Sequence, residues 1–445
     1  MRSPSSAQPA DHDLRARFFR LSALNILANL TVPVVGLVDA AMLGHLEEIH
    51  FLAGVALGTV VFDFVFWSFG FLRMATSGLT AQAVGRRDSA EIEAILRRSL
   101  VIAAGAGLAL LALREPLGSL AFTLLSGDAA TEGAGLAYYH ARVLGAPAAL
   151  ANFVFLGWFL GREESGVALW MTLSANLVNV VLDYVFILHL DWNAAGAGLA
   201  TMISQYVMLA VALVFYWPRR FRGEGLEIRS VFGVSRWASM FGLQRDIFFR
   251  TLFLVGTFAL FTNFSARFGT EALAANTLLL RLIALAAFFV DGAAFAIESL
   301  AGILRGAGLD ASLRRLLRLG LNSGFAMAGF FVAAVGLFPS AILGLLTSHA
   351  SVIDLAAGLR GWLIPVLLIG SAAYILDGLF LGLTAGRPLR NAMIFSAALG
   401  FLPLAWVAIE LESLQVLWAA LSGFMLLRVV TLSWLSRPLL SSGEG

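Results

Sequence analysis

Apolar runs of about twenty residues recur along the whole chain, and nothing in it constrains the fold more, because each is long enough to cross a bilayer as a helix. They fall near 18–43, 51–74, 95–113, 136–160, 167–190, 196–217, 246–265, 272–303, 316–338, 356–384, 391–409 and 414–435. Hydrocarbon offers the backbone no hydrogen-bond partner, so a spanning segment must satisfy its own polar groups, and a helix does so. The prediction is an all-α integral membrane protein with about twelve transmembrane helices. Composition agrees: 59% of the 445 residues are hydrophobic and 13% charged, against about 45–50% and about 25% in soluble domains.

The charges that remain are selective. All thirty basic residues are arginines. Without lysine there is no Walker A phosphate loop and no lysine Schiff base, so neither ATP nor a retinal or pyridoxal cofactor is expected to drive the protein. The absence of cysteine removes thiolate metal sites and thiol chemistry. The six histidines sit mostly in loops or at span ends, so no metal is expected. Arginine-rich segments (Arg86 to Arg98, Arg162, Arg219 to Arg245, Arg305 to Arg318, Arg387 and Arg390) alternate with arginine-poor ones. That alternation predicts a multi-pass protein of the cell inner membrane with both termini cytoplasmic. The net charge of +2 reflects this bias rather than affinity for nucleic acid. The first ten residues are polar and lead into a full span, so no cleavable signal peptide is expected.

The long polar connection Tyr216–Arg245 divides the spans six and six. It predicts an N-terminal lobe over 14–217, a cytoplasmic linker over 218–245 and a C-terminal lobe over 246–437. An internal repeat supports two copies of one unit: Arg142-x4-Pro147…Gly157-Trp-Phe159-Leu160-Gly161 recurs as Arg360-x4-Pro365…Gly378-Leu-Phe380-Leu381-Gly382, about 220 residues later. Equal span numbers put both copies in the same orientation, as parallel repeats around a central cleft.

Acids inside these spans are the candidate functional residues, because a carboxylate in hydrocarbon costs several kcal/mol and is kept for a reason. Asp39 shares its span with Asn25, Asn29 and Gly36, which fall within about 80° of helical arc. Asp183 ends a second polar stripe, Asn176-x-x-Asn179-x-x-x-Asp183, whose spacings of three and four stack one face. In the second half, Asp291 and Glu298 share a face and Asp377 has Tyr374 one turn away. With Arg250 and Arg428 also inside spans, these acids are either ion pairs that hold helices together or part of the coupling machinery. Phe153, Phe155 and Phe288, with Met42, Met74 and Met171, are candidate lining for an apolar cleft.

These stripes and repeats resemble the multidrug and toxic compound extrusion (MATE) transporters, in the DinF-like branch, over nearly the whole chain. The resemblance is carried by Asn29-Leu-Thr-Val-Pro33-x-x-Gly36-Leu-Val-Asp39-x4-Gly44-His45-Leu46, by Phe71 to Gln82, by Ala151-Asn152, by Asn176 to Asp183 and by Gly196 to Thr201. In the second half it is carried by Arg245-Asp246, Leu273 to Asn276, Asp291 to Glu298 and Leu376-Asp377-Gly378. Gly302 to Gly306 departs from the family pattern, and Asp63, inside the second span, is an acid the family does not lead one to expect.

The resemblance implies two six-helix bundles around a central cleft and a monomeric secondary antiporter, not an enzyme. It would export organic cations or amphiphiles from the lipid-embedded cleft in exchange for protons. On this reading Asp39 and Asp183 carry the coupling proton, and Asn29, Asn152, Asn176, Asn179 and Thr201 form the supporting polar network. Pro33 leaves a gap in the helical ladder, for a static kink or for a bend that follows protonation. Asp291, Glu298, Tyr374 and Asp377 are cleft candidates in the second lobe. Three alternatives stand beside it. A sodium-coupled exporter would use the same oxygens. A lipid-linked saccharide flippase would want arginines around a pyrophosphate. A prenyl-transferase-type enzyme would need an Asp-Asp-x-x-Asp cluster for Mg²⁺, and the chain has none.

Overall fold

The computed structural model describes residues 11–44, 46, 48–125, 128–220 and 233–441. His45 and most of the predicted linker, 221–232, lie outside the described residues. Among the described residues eleven helices are long and apolar enough to cross a membrane, and a bent pair makes a twelfth span. The helices are α1 (Asp11–Gly44), α2 (His50–Ser68), α3 (Phe71–Gly85), α4 (Ser89–Ala112), α5 (Arg114–Leu124), α6 (Ala129–Val143), α7 (Ala146–Gly161), α8 (Ser165–Asp183) and α9 (Asn193–Tyr216). After the linker come α10 (Val234–Ala266), α11 (Thr270–Gly306), α12 (Leu313–Leu337), α13 (Pro339–Gly344), α14 (Ala350–Leu359), α15 (Leu363–Gly382), α16 (Gly386–Phe395), α17 (Leu402–Glu410) and α18 (Leu414–Ser441).

The breaks follow from local sequence. α6 and α7 form the bent span, at 56°, where Gly145 precedes Pro147 and the proline cannot donate into the preceding turn. Asp88 and Asp128 cap α4 and α6 by accepting the backbone N–H groups of Glu91 (2.9 Å) and Thr131 (2.8 Å). The latter bond holds the Asp128 carboxyl below the usual carboxylate range.

The chain forms two compact units, one of residues 1–26 with 242–445, the other of residues 27–241. The start of α1 thus packs in the C-terminal unit, where Leu14, Phe18 and Leu21 join Leu300, Leu313 and Leu316 in one apolar cluster. A second cluster in that unit surrounds Phe261, Trp418 and Phe424, with the Trp418 indole N–H donating to the Asn276 side-chain Oδ1 at 2.9 Å. The other unit has its own clusters. One surrounds Leu150, Trp158 and Met171, and the other Phe62, Tyr138 and Tyr139.

The sequence repeat has a physical purpose in both units. A Cβ on Gly157 would come within 2.3 Å of the Arg73 carbonyl oxygen, and one on Gly161 within 2.5 Å of that of Ser77. In the second copy, Gly378 and Gly382 bear in the same way on the carbonyls of Ala294 (2.4 Å) and Glu298 (2.2 Å). Glycine four residues apart therefore lets α7 lie directly on α3, and α15 on α11, with backbone against backbone. Among the described residues each half also carries one π-helical stretch, Tyr184–His189 after α8 and Ser396–Phe401 between α16 and α17.

Candidate functional site

In the 27–241 unit, the carboxyls of Asp39 on α1 and Asp183 at the end of α8 lie against each other. Asp183 is fully buried. Neither of its oxygens, nor Oδ1 of Asp39, accepts a hydrogen bond from a protein donor. Two carboxyls in mutual contact can bond to each other only when one of them is protonated. A pair of this kind is chemically able to hold one proton between its two carboxyls. Asp183 is also the last α-helical residue before the π-helical turn of α8, where the ladder changes register, a feature that recurs at functional sites.

The predicted polar network divides in two. Asn176 and Asn179 stand two turns and one turn before Asp183, and the Nδ2 group of each is buried with no acceptor, so both keep a donor available on the stripe that ends in Asp183. Asn152 is used elsewhere, donating to the backbone and side-chain oxygens of Gln205 at 2.9 and 3.1 Å. Thr201 donates within its own helix to the Ala197 carbonyl at 3.0 Å. Asn29 lies on the 27–241 part of α1 with Asp39, whereas Asn25 belongs to the other unit and donates to the Gly292 carbonyl at 3.3 Å. Asn25 thus serves helix packing in the other unit. Pro33 sits inside α1, six residues before Asp39.

Two participants, Arg142 and Gln205, were not legible as such in the sequence. Arg142, at the end of α6, is the charged neighbour of both Asp39 and Asp63. Its guanidinium lies 4.5 Å from the Phe62 ring centre and 5.9 Å from that of Phe66, and donates to the Tyr138 hydroxyl. Arg142 was visible only as part of a repeat motif. Its role depends on α2 lying close to α6, which Gly54 and Gly58 permit, because a Cβ on either would come within 2.6 Å of α6. Gln205 was a lone amide one turn after Thr201. Phe155 and Met171, expected near a cleft, are instead fully buried core residues.

The C-terminal unit brings three of its four predicted residues together. Asp377 is buried and pairs with both Arg250 and Arg428. The Arg428 guanidinium lies 5.3 Å from the Tyr374 ring centre, and Asp291 adds its charge beside the two. Glu298 is buried two turns along α11 from Asp291, at the point where Gly382 crosses. Two guanidinium groups and two carboxylates make this cluster balanced in charge. The pair at Asp39 and Asp183 has no such balance.

Comparison with known proteins gives one consistent result. The MatE family model matches twice, over residues 25–185 and 247–407. The chain is 34% identical to the DNA damage-inducible protein F of Escherichia coli, over 92% of this chain and 89% of that one. It is 26% identical to a probable multidrug resistance protein NorM of Synechococcus, over 81% and 78%. Among solved structures, the outward-facing conformation of a multidrug resistance MATE family transporter superposes with a TM-score of 0.87 at 20% identity, covering all of both chains.

Proposed function

Since the chain belongs to the MATE family of membrane transporters, in its DinF-like branch, we propose that it is a proton-driven antiporter that exports organic cations or amphiphiles. The observation that carries this reading is the contact between Asp39 and Asp183. A carboxyl pair with buried acceptors is a proton carrier, and it becomes an anionic host once the proton leaves. Near it stand three carboxylates, Asp39, Asp63 and Asp183, and one guanidinium, Arg142. That surplus of negative charge suits a positively charged substrate. Proton and cation then compete for the same charge, and the two leave or enter in turn as the lobes alternate access.

The C-terminal cluster favours protons over sodium. Asp377 is paired there with Arg250 and Arg428, which offset the charge a metal cation would need. A flippase reading would need arginines free for pyrophosphate, whereas these two are committed to Asp377. The distribution of arginines supports an inner-membrane location with cytoplasmic termini, and the chain is taken to act as a monomer.

The test is efflux of a fluorescent organic cation from proteoliposomes under a proton gradient or a sodium gradient, each imposed alone. Wild type should respond to the proton gradient. Asp39→Asn, which keeps the shape and cannot titrate, should lose that response while remaining folded by size-exclusion chromatography. Sodium-driven efflux, or wild-type rates in Asp39→Asn, would overturn the reading.

A further inference from the structure

α12 is the third span of the second half, as α4 is of the first, and both carry arginines near their start. In α4 those charges are met by the helix's own acids. Arg97 bonds to Glu93 at 3.0 Å, and Glu91 takes Arg98 at 2.6 Å and Arg236 at 2.7 Å. α12 contains no acid at all. Its opening turns carry Arg314, Arg315 and Arg318, all three exposed, and among the described residues no ion pair engages Arg315 or Arg318.

The three arginines stand on the outward side of the helix. Leu313, Leu316, Gly320 and Gly324 are buried and mark the face that packs inward. At 100° per residue Arg314, Arg315 and Arg318 fall within about 100° of arc on the opposite side. The same arc continues through Asn322, Phe325, Gly329, Ala333 and Gly336. Asn322, Phe325 and Ala333 are exposed, and a Cβ on Gly329 or Gly336 would meet nothing within 4 Å. From Arg318 to Leu337 the helix rises about 28 Å, close to the thickness of a hydrocarbon core of about 30 Å. When α12 crosses, its guanidinium groups therefore lie at headgroup level, and the small residues beyond them leave a shallow open track beside the Phe325 ring.

We propose that the outward face of α12 is a binding site for an anionic phospholipid: Arg315 and Arg318, with Arg314 beside them, hold the phosphate, and one acyl chain lies along Phe325, Gly329 and Ala333. A guanidinium meets phosphate oxygens through two parallel hydrogen bonds, and each basic side chain near a membrane surface adds to the attraction for an anionic headgroup. A free phosphate would gain only the charge contacts. The open apolar track below them is what makes a lipid the occupant. The start of α4 offers no such site, because Glu91 and Glu93 already neutralise its arginines. The site is independent of the ion that drives transport.

The chain has no cysteine, so a fluorophore can be attached at one chosen position. Ala326→Cys places a reporter beside the track on α12 and Ala104→Cys places one on α4, both at exposed positions. The labelled protein is held in phosphatidylcholine nanodiscs containing a small fraction of phosphatidylglycerol with brominated chains, which quench on contact. Quenching of the α12 reporter should exceed that from the same fraction of brominated phosphatidylcholine, whereas the α4 reporter should not distinguish the headgroups. Arg315→Gln combined with Arg318→Gln should remove the preference, a loss of about thirtyfold in apparent affinity for two charges. Ala311→Glu should lower it as well, because it sets an acid four residues before Arg315 as Glu93 stands before Arg97. All three positions are exposed, so these variants should melt with wild type. Excess inorganic phosphate, against sodium chloride of equal ionic strength, should not displace the lipid. A headgroup preference that survives in the double variant, or one equal at the two reporters, would overturn the site and leave only the general attraction of a basic membrane face. Displacement by phosphate would overturn the lipid as occupant.

Discussion

Chemically similar acids do different work in the two units because of their neighbours. Asp183 meets another acid, whereas Asp377 meets Arg250 and Arg428. The sequence exposed both as carboxylates in apolar spans, and it placed Asn176, Asn179 and Asp183 on one face correctly, since that face is set by helical periodicity alone. It left the role of Asp377 open and missed Arg142, because partners drawn from distant helices leave no periodic trace. The pairing of Asp377 has a measurable consequence. Replacing it with Asn leaves two buried guanidinium groups without a matching charge at that point, a loss of about 3–5 kcal/mol where one partner of a buried pair is removed. Asp377→Asn should therefore show a markedly lower melting temperature in detergent, with Asp39→Asn close to wild type. If Asp377→Asn melts like wild type and instead changes the ion dependence of efflux, the acid is part of the coupling machinery.

Among the elements, the repeated glycines were legible before any coordinate, as Gly157, Gly161, Gly378 and Gly382 in matching positions. The structure supplies their reason, a carbonyl oxygen within 2.5 Å of where each Cβ would be. Adding one methyl at such a contact forces backbone apart and costs about 1–3 kcal/mol. Gly157→Ala and Gly378→Ala should each lower the melting temperature, whereas Gly105→Ala, in a helix with nothing within 4 Å of the site, should keep it or raise it slightly. Equal melting temperatures for all three would show that the helices adjust freely at these crossings. The π-helical stretches were not legible. One extra residue in a turn leaves hydrophobic periodicity almost unchanged over a span, so Tyr184–His189 and Ser396–Phe401 appear only in the backbone.

For the molecule as a whole, one family pattern occurs twice, over 25–185 and 247–407, and the two copies differ in chemistry. The same family model fits both halves, yet the carboxyl pair is found in one and the balanced cluster in the other, the difference on which the proposal that the N-terminal half carries the proton rests. α1 is the element through which that assignment reaches the rest of the chain, since its first part belongs to one compact unit and its remainder, with Pro33 and Asp39, to the other. Under the proposed function, protonation of Asp39 removes a charge beside Asp183, and the gap that Pro33 leaves in the hydrogen-bond ladder is where α1 is expected to bend in response. The shift in population can be no larger than the difference in proton affinity between the two shapes, about 1.4 kcal/mol for each pKa unit. The shapes must therefore lie within a few kcal/mol of each other for pH to reverse them. Spin labels at Ala40 and Leu188, both exposed and both in the 27–241 unit, report the distance from the end of α1 to the turn after α8. In wild type that distance distribution should change between about pH 8 and about pH 5, following carboxyl protonation. In Asp39→Asn it should stay fixed. In Pro33→Ala, where the backbone N–H restores the missing bond, it should narrow and lose most of its pH response, and proton-driven efflux should fall with it. A distribution that is flat with pH in wild type would make α1 a rigid helix and Pro33 a static kink, and coupling would then have to act through side chains alone.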